Sequence, residues 1–245
     1  MPTGYKKGCV MRVKTNKGEK EDFGIKDTIK EIIEKAKRSI VKKDSHYRLP
    51  LTLINDYTWA NLSQPAQALL VVIGCFQNQF TGACFLARET MAKHTGYSNL
   101  AQTIDPALRE LVFKYLITKR IAKPSNEYFL TDKAKCEKKK TYFRLFQYQV
   151  EKGYWAKLKP CEKALYPVLY VKGSINNSEI KDDIEVCCKG EIKSIKKLTD
   201  LAGIHRSSFK RTISGFYAKS LIDGEIEDNV ETYYLYRLDR LYDAK

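Results

Sequence analysis

The chain has 245 residues, which is room for two domains of ordinary size, and its 43% of hydrophobic residues can supply each with a core and are too many for a disordered protein. Lysine and arginine outnumber aspartate and glutamate by 44 to 29, and the resulting net charge of +15 favours a polyanionic partner. No apolar run is long enough to span a bilayer and no signal peptide opens the sequence, so we expect a cytoplasmic protein with no membrane partner.

Residues 1–44 form a basic N-terminal extension. Its second half carries isoleucines and an alanine spaced by three, four and seven residues from Ile25 to Ile40. This spacing predicts one amphipathic helix. Its apolar face suits docking on the domain that follows, and the alternatives are self-association into a homodimer or a basic arm along DNA.

One stretch of the sequence occurs twice, at a constant offset of 96 residues. Both copies contain an aromatic-Arg-Leu motif, a Trp-Ala-x-Leu motif and an Ala-Leu pair, and two matches in corresponding places indicate a duplicated module. The paired positions are Tyr47 and Phe143, Arg48 and Arg144, Leu49 and Leu145, Trp59 and Trp155, Leu62 and Leu158, and Ala68 and Ala164. We therefore expect domain 1 over residues 45–131, a basic linker over 132–140 and domain 2 over 141–245.

The second copy continues into a helix-turn-helix pattern. Ala202 and Gly203 form the expected turn, and Phe209, Ile213 and Phe216 follow at the spacing of an inward helix face. The outward face is then polar and basic, and the helix before the turn adds two lysines. The predicted DNA-contacting residues of this copy are Arg206, Ser207, Ser208, Lys210, Arg211, Lys196 and Lys197.

The first copy has the corresponding turn glycine at Gly96, but the distance to the closing Leu-Ile pair is two residues longer than in the second copy. Asp105 followed by Pro106 reads as an N-cap and a first helical proline, so we expect the second helix to start late. Polar residues between the glycine and this start are candidates for base or phosphate contacts. They are Ser98, Asn99, Gln102 and Thr103.

Each helix pair is followed by apolar strand starts, turn residues and an aromatic strand, which predicts a β-hairpin wing. Wing 1 carries basic residues suited to phosphates, whereas wing 2 is acidic and is expected to remain free for another protein. The basic residues of wing 1 are Lys119, Arg120 and Lys123. The acidic residues of wing 2 are Asp223, Glu225, Glu227, Asp228 and Glu231.

The stretch from Gly82 to Ala92, preceded by Trp59-x-x-Leu62 and an alanine-rich helix, resembles winged helix-turn-helix domains of plasmid and phage replication proteins. The tandem arrangement is similar to that of plasmid replication initiators. This resemblance implies a mainly α protein with small β-wings (α+β), two winged helices that bind double-stranded DNA, and contacts to host replication proteins. A transcriptional repressor that binds an operator is the alternative, because the same domain serves that role.

No catalytic centre, cofactor site or metal site is expected. The three histidines stand far apart, without the His-x-His pair of a rolling-circle nickase, and no G-x-x-x-x-G-K-[ST] loop is present. The seven cysteines show no C-x-x-C spacing, which argues against zinc. Cys75 and Cys161 lie in or beside apolar helices, where a reduced thiol is expected to pack as a small hydrophobe.

Overall fold

The computed structural model confirms a mainly α protein with small β-sheets. All of the described residues belong to one compact unit. The N-terminal extension with its predicted helix lies outside the described residues, as do Lys123 and Asp228. The structure describes residues 45–78, 80–122, 126–136, 142–173, 186–191, 194–227, 230–238 and 241.

In the part of the first copy that the structure describes, there are four α-helices and four strands. A π-helical turn over Leu100–Ile104 leads directly into its last helix. Strands β2, β4 and β3 form an antiparallel sheet in that order, in which β3 and β4 are the expected hairpin. The elements are β1 His46–Pro50, α1 Leu51–Asn55, α2 Gln64–Cys75, β2 Ala83–Cys84, α3 Arg88–Thr95, α4 Asp105–Phe113, β3 Ile117–Arg120 and β4 Glu127–Leu130.

Over its described residues, the second copy repeats this order with one additional short helix. Its three-stranded sheet has the order β6, β8, β7, which matches the topology of the first copy. The elements are β5 Tyr142–Phe146, α5 Gln147–Glu151, α6 Tyr154–Lys157, α7 Pro160–Lys172, β6 Val186–Glu191, α8 Ile195–Ala202, α9 Arg206–Tyr217, β7 Ile222–Glu227 and β8 Val230–Tyr236.

The two copies share one hydrophobic core, at the centre of which α2 packs against α7. Helix α2 is apolar on all sides, and every residue from Ala66 to Cys75 is buried. Its first turn is fixed by the Ser63 side chain, which accepts a hydrogen bond from the Ala66 amide, and by Pro65. Cys75 is buried in this core and Cys161 packs at its edge, which agrees with the packing role predicted for both thiols.

An antiparallel ribbon of β1 and β5 joins the two copies. Its register pairs Tyr47 with Leu145, Leu49 with Phe143, and Arg48 with Arg144. The last pair consists of two equivalent positions of the repeat, since 48 and 144 differ by the offset of 96. When a residue of one copy pairs across an antiparallel ribbon with the same position of the other copy, an approximate two-fold axis must relate the two copies.

The buried tryptophans confirm this local two-fold axis. The indole Nε1 of Trp59 donates a hydrogen bond of 3.0 Å to the carbonyl oxygen of Ala164, and the Nε1 of Trp155 donates one of 3.3 Å to that of Ala68. The two donors are equivalent in the repeat, and so are the two acceptors. Each copy therefore satisfies a buried polar group of the other, as the subunits of a symmetric dimer do.

The turn glycines also meet the opposite copy. Gly96 and Gly203 end α3 and α8 with left-handed backbones, at φ values of 75° and 68°. A Cβ on Gly203 would lie 2.2 Å from the carbonyl oxygen of Ala60, and one on Gly96 would lie 2.5 Å from that of Ala156. Because these alanines are themselves equivalent, glycine is required at each turn by backbone conformation and by contact with the other copy.

Replacing Gly203 with alanine is expected to destabilise the protein more than the same change at Gly82. Both residues have left-handed backbones, so each alanine costs about 1–2 kcal/mol of conformational strain. A Cβ on Gly82 meets nothing within 4 Å, whereas the Gly203 variant also forces the two copies apart, at roughly 1–3 kcal/mol more. Urea unfolding of both variants measures the difference, and equal losses would contradict a contact between the copies.

One equivalent pair differs in chemistry. Gln67 is buried and its amide nitrogen donates to the carbonyl oxygens of Trp59 and Ala202. The equivalent residue of the second copy is Lys163, which is 2% exposed and whose amine donates to the carbonyl oxygens of Ala156 and Leu158. Burial lowers the pKa of Lys163 to about 8, so the second copy keeps a charged group where the first has a neutral one.

Lys163→Gln is expected to stabilise the protein at pH 7, because glutamine can donate to the same carbonyls without burying a charge. The amine titrates near 8 when folded and near 10.5 when unfolded, so between these values the unfolded chain binds more protons. The free energy of unfolding contributed by Lys163 therefore rises with pH across that interval. In denaturant titrations from pH 7 to 10.5, the difference in free energy of unfolding between the native protein and the Lys163→Gln variant is expected to shrink. A difference that stays constant with pH would contradict the lowered pKa of Lys163.

Candidate nucleic-acid interface

The helix pair α8 and α9 lies at the surface of the second copy. The Ser194 side chain caps α8 by accepting from the Lys197 amide, and the left-handed Gly203 ends it, as predicted. His205 caps α9, since its ring Nδ1 accepts from the Ser207 amide at 3.3 Å. The histidine therefore has a structural role in fixing where α9 begins.

Helix α9 separates its apolar and polar faces as the sequence predicted. Phe209 and Phe216 are buried, and Ile213 packs partly buried against the core. Of the predicted contact residues, Ser208 is half-buried and the others are exposed. The exposed ones are Arg206, Ser207, Lys210 and Arg211 on α9, with Lys196 and Lys197 on α8.

The cations of this face are uncompensated. Within the described part of the chain, Arg206, Lys210 and Arg211 form no ion pair with a carboxylate. The only acid between Lys196 and Arg211 is Asp200, which lies on α8. A surface with this charge attracts a polyanion, because each phosphate it neutralises releases a condensed counterion.

A buried ion pair fixes α9 to the protein. Lys219, just beyond α9, forms a 2.7 Å ion pair with Glu162 at the start of α7, and the Glu162 side chain is 1% exposed. The other carboxylate oxygen of Glu162 accepts from the Lys159 amide at 2.7 Å. Gly215 leaves room for this carboxylate, since a Cβ there would lie 2.2 Å from Oε1. The position of α9 therefore depends on α7.

The first copy uses different chemistry for the same purpose. Glu110 on α4 accepts hydrogen bonds from the amide of Ser63, at 2.8 Å, and from its hydroxyl, at 2.5 Å. Ser63 is the N-cap of α2, which is the equivalent of α7. In both copies a glutamate thus joins the second helix of the pair to the start of the central helix.

Helix α4 begins at Asp105, as late as expected, but the helical backbone already starts in the π-helical turn before it, so Asp105 is not the N-cap. Asn99 is the N-cap instead, and its side-chain oxygen accepts from the Gln102 amide at 2.9 Å. The π-helical turn of 5 residues plus the 9 of α4 exceeds the 12 residues of α9 by two, so the wider turn absorbs the insertion. Asp105 has a helical backbone and pairs with Arg88 at 3.0 Å.

The polar candidates of the first copy lie around this π-helical turn. Ser98, Asn99 and Gln102 are exposed and Thr103 is half-buried. Asn99 and Gln102 also bond to each other through their side chains, at 2.9 Å. Capping therefore uses part of the hydrogen-bonding capacity that these side chains would offer to a ligand.

The C-terminal end of α4 exposes apolar side chains, in contrast to α9. Val112 is 39% exposed and Phe113 77% exposed, and Tyr115 follows at 79%. Between α4 and the β3–β4 hairpin lies a groove of about 700 Å³, lined by Phe113 and Tyr128 with Arg109 and Lys119 among its cations. The two helix pairs thus present chemically different surfaces.

The first strands of the two hairpins expose side chains of opposite charge. Lys119 and Arg120 are exposed on β3, as predicted, but Arg120 pairs with Glu127 across the hairpin. In the second hairpin, Asp223 is exposed, whereas the side chains of the remaining predicted acids lie outside the described residues. The basic character of the first hairpin is therefore reduced by one ion pair.

The chain matches no protein-family model, no curated protein and no solved structure. Among the described residues, no helix combines the length and the apolar character that crossing a bilayer requires. Within the same ranges, no three His, Cys, Asp or Glu side chains lie close enough together to hold a metal ion.

Sequence reasoning missed the π-helical turn, the Glu162–Lys219 pair and the apolar surface of α4. One part of this arrangement, the place of Glu162 in the first turn of α7, had a readable signal. Pro160 and Glu162 occupy the first and third positions of α7, and a glutamate at the third position is typical of a capping box. The pairing of Glu162 with Lys219 had no such signal, because 57 residues separate the two side chains.

Glu162→Gln is expected to lower the free energy of unfolding by about 3 kcal/mol, because it leaves the Lys219 amine without a counter-charge in a largely buried place. Lys135→Gln is the control, since it breaks an exposed ion pair with Asp132 and is expected to cost less than about 0.5 kcal/mol. Guanidinium unfolding distinguishes the two. A cost of Glu162→Gln no larger than that of the control would show that the pair does not fix α9.

Proposed function

We propose that this protein binds double-stranded DNA sequence-specifically through two winged helix-turn-helix modules. The single observation that carries the proposal is the exposed, uncompensated basic face of α9, which follows a left-handed turn glycine. Arginine and lysine on such a helix suit guanine edges and phosphates, and Ser207 can donate to either. In this proposal α9 is the recognition helix of the second module.

The local two-fold axis supports the use of both modules on one DNA molecule. Helix-turn-helix dimers bind two half-sites whose inverted orientation mirrors the two-fold symmetry of the protein. Here one chain supplies both helix pairs, and their surfaces differ. The proposed target therefore consists of two inverted half-sites of unequal sequence, of which the one bound by α9 contributes more affinity.

Replication initiation on a plasmid, phage or other mobile element is the role that we propose for this binding. Its support is the sequence resemblance to tandem winged-helix initiators, and contacts to host replication proteins through the acidic second wing belong to the same proposal. A repressor is the alternative. Footprinting on DNA flanking the gene separates them, because an initiator protects repeated sites beside an AT-rich segment and a repressor protects one operator that overlaps a promoter.

Reversing both charges of α9, in the variant Lys210→Glu/Arg211→Glu, is expected to weaken duplex binding by about a hundredfold or more. Each cation contributes roughly 1–3 kcal/mol to a base or phosphate contact. The matched control is Lys152→Glu/Lys157→Glu, which makes the same change in net charge at two exposed lysines away from α9. Gel-shift titrations at constant salt measure both affinities.

Asp223→Lys provides a second control, on the acidic hairpin, and is expected to change the affinity by less than about threefold because DNA repels that surface. Similar losses in the α9 variant and in the lysine control would mean that binding depends on net charge alone. Equal losses of duplex affinity in the α9 variant and in Asp223→Lys would contradict the proposal that α9 contacts the DNA and the acidic hairpin does not.

A further inference from the structure

The arginine of the repeated aromatic-Arg-Leu motif is not explained by packing. In both copies the flanking residues face the core, since Tyr47, Leu49, Phe143 and Leu145 are buried. Arg48 and Arg144 alternate with them and therefore lie on the outer face of the β1–β5 ribbon. Neither the central helices nor the DNA-binding helix pairs account for an arginine at this place in each copy.

The two arginines are placed where their charges repel. They are direct cross-strand partners, an arrangement that is destabilising for like charges. Within the described part of the chain, neither forms an ion pair with a carboxylate. The Nε of Arg144 is buried and has no hydrogen-bond partner among the described residues. An anion between the two guanidinium groups would offset the repulsion and supply the missing acceptor.

Aromatic rings surround these cations. The Arg48 guanidinium lies 4.9 Å from the centre of the Tyr142 ring, and that of Arg144 lies 5.5 Å from Tyr142 and 5.9 Å from Phe146. His46 is the cross-strand partner of Phe146. All five of these side chains are half-buried, so a ligand can reach them.

A small cavity lies beside this cluster. It has a volume of about 190 Å³ and is lined by Arg144, Phe146, Tyr170 and Arg237 among others. Arg237 also lies over the Phe146 ring, at 5.4 Å. The cavity is large enough for one planar ring or one phosphate group and too small for a duplex or a helix.

We propose that the outer face of the β1–β5 ribbon binds nucleotide units, with a phosphate between Arg48 and Arg144 and a base against the rings of Tyr142 and Phe146. Alternating guanidinium and aromatic groups match the phosphates and unstacked bases of a single strand, whereas a duplex keeps its base faces stacked. The same chemistry would hold a free nucleotide. This site is separate from the helix pairs and does not depend on the proposed duplex binding.

Fluorescence anisotropy of the full chain with a labelled thymidine oligomer of about 12 nucleotides, a length within the usual single-strand site sizes, tests the proposal. Arg48→Gln and Arg144→Gln are each expected to weaken binding at least about tenfold, the lower end of what loss of a charge-assisted hydrogen bond to a phosphate produces. Arg109→Gln is the matched control. It removes the same charge from an exposed arginine on α4 that forms no ion pair among the described residues.

The source of the nucleotide is distinguished by competition. Displacement of the oligomer by thymidine monophosphate identifies a free-nucleotide site, whereas displacement only by unlabelled oligomer identifies a strand site, and either result supports the proposal. Unchanged affinity in the two ribbon variants would overturn it, as would an equal loss in the Arg109 control. Lys210→Glu/Arg211→Glu is expected to weaken duplex binding much more than oligomer binding, so failure of duplex binding and failure of this site are separable.

Photo-crosslinking of the unmodified protein to an oligomer containing iodouracil covers the case in which a ribbon variant does not fold. The expected crosslinks, mapped by mass spectrometry, fall on Tyr142 or Phe146. Crosslinks confined to α9 would overturn the proposal, because the strand would then occupy the helix surface.

Discussion

Two hydrogen bonds that cross between the repeats hold the fold in its arrangement. The Trp59 and Trp155 indoles are fully buried, and each finds its acceptor on the central helix of the other copy. A buried indole N–H without an acceptor costs about 1–3 kcal/mol, so both bonds form only when the copies meet in one orientation. The ribbon, the turn-glycine contacts and the packing of α2 on α7 all follow from that orientation.

Local features of the chain could be predicted from the sequence because their causes lie within a few residues. The left-handed turn at Gly203 and the buried face through Phe209 and Phe216 are of this kind. The π-helical turn was not predictable, since Asp105-Pro106 carries the signal of an N-cap and only the ion pair of Asp105 with Arg88 shows that it serves another purpose. The offset of 96 residues revealed two copies, but their mutual packing depends on contacts between residues 87 to 135 positions apart.

The two copies carry different side chains at equivalent positions, except where the backbone or the contact with the other copy requires one residue type. Both copies have glycine at the turn, because a Cβ there would clash with the opposite copy. Both have tryptophan at the position whose side chain donates a hydrogen bond to the opposite copy. Gln67 and Lys163 reach backbone carbonyls with a neutral and a charged group, respectively. The surfaces diverge further, since α4 exposes Val112 and Phe113 where α9 exposes lysine and arginine. The two copies therefore share one packing arrangement but present chemically different surfaces on their two helix pairs.

The covalent connection between the copies changes how the two-fold arrangement assembles. A symmetric dimer forms in a bimolecular step and dissociates on dilution, whereas two linked copies meet at an effective concentration set by the chain between them. The arrangement centred on Arg48 and Arg144 is therefore a product of folding, and its population does not fall as the protein becomes scarce. A cell holding a few molecules of this chain has as large a fraction of them assembled as a concentrated solution does.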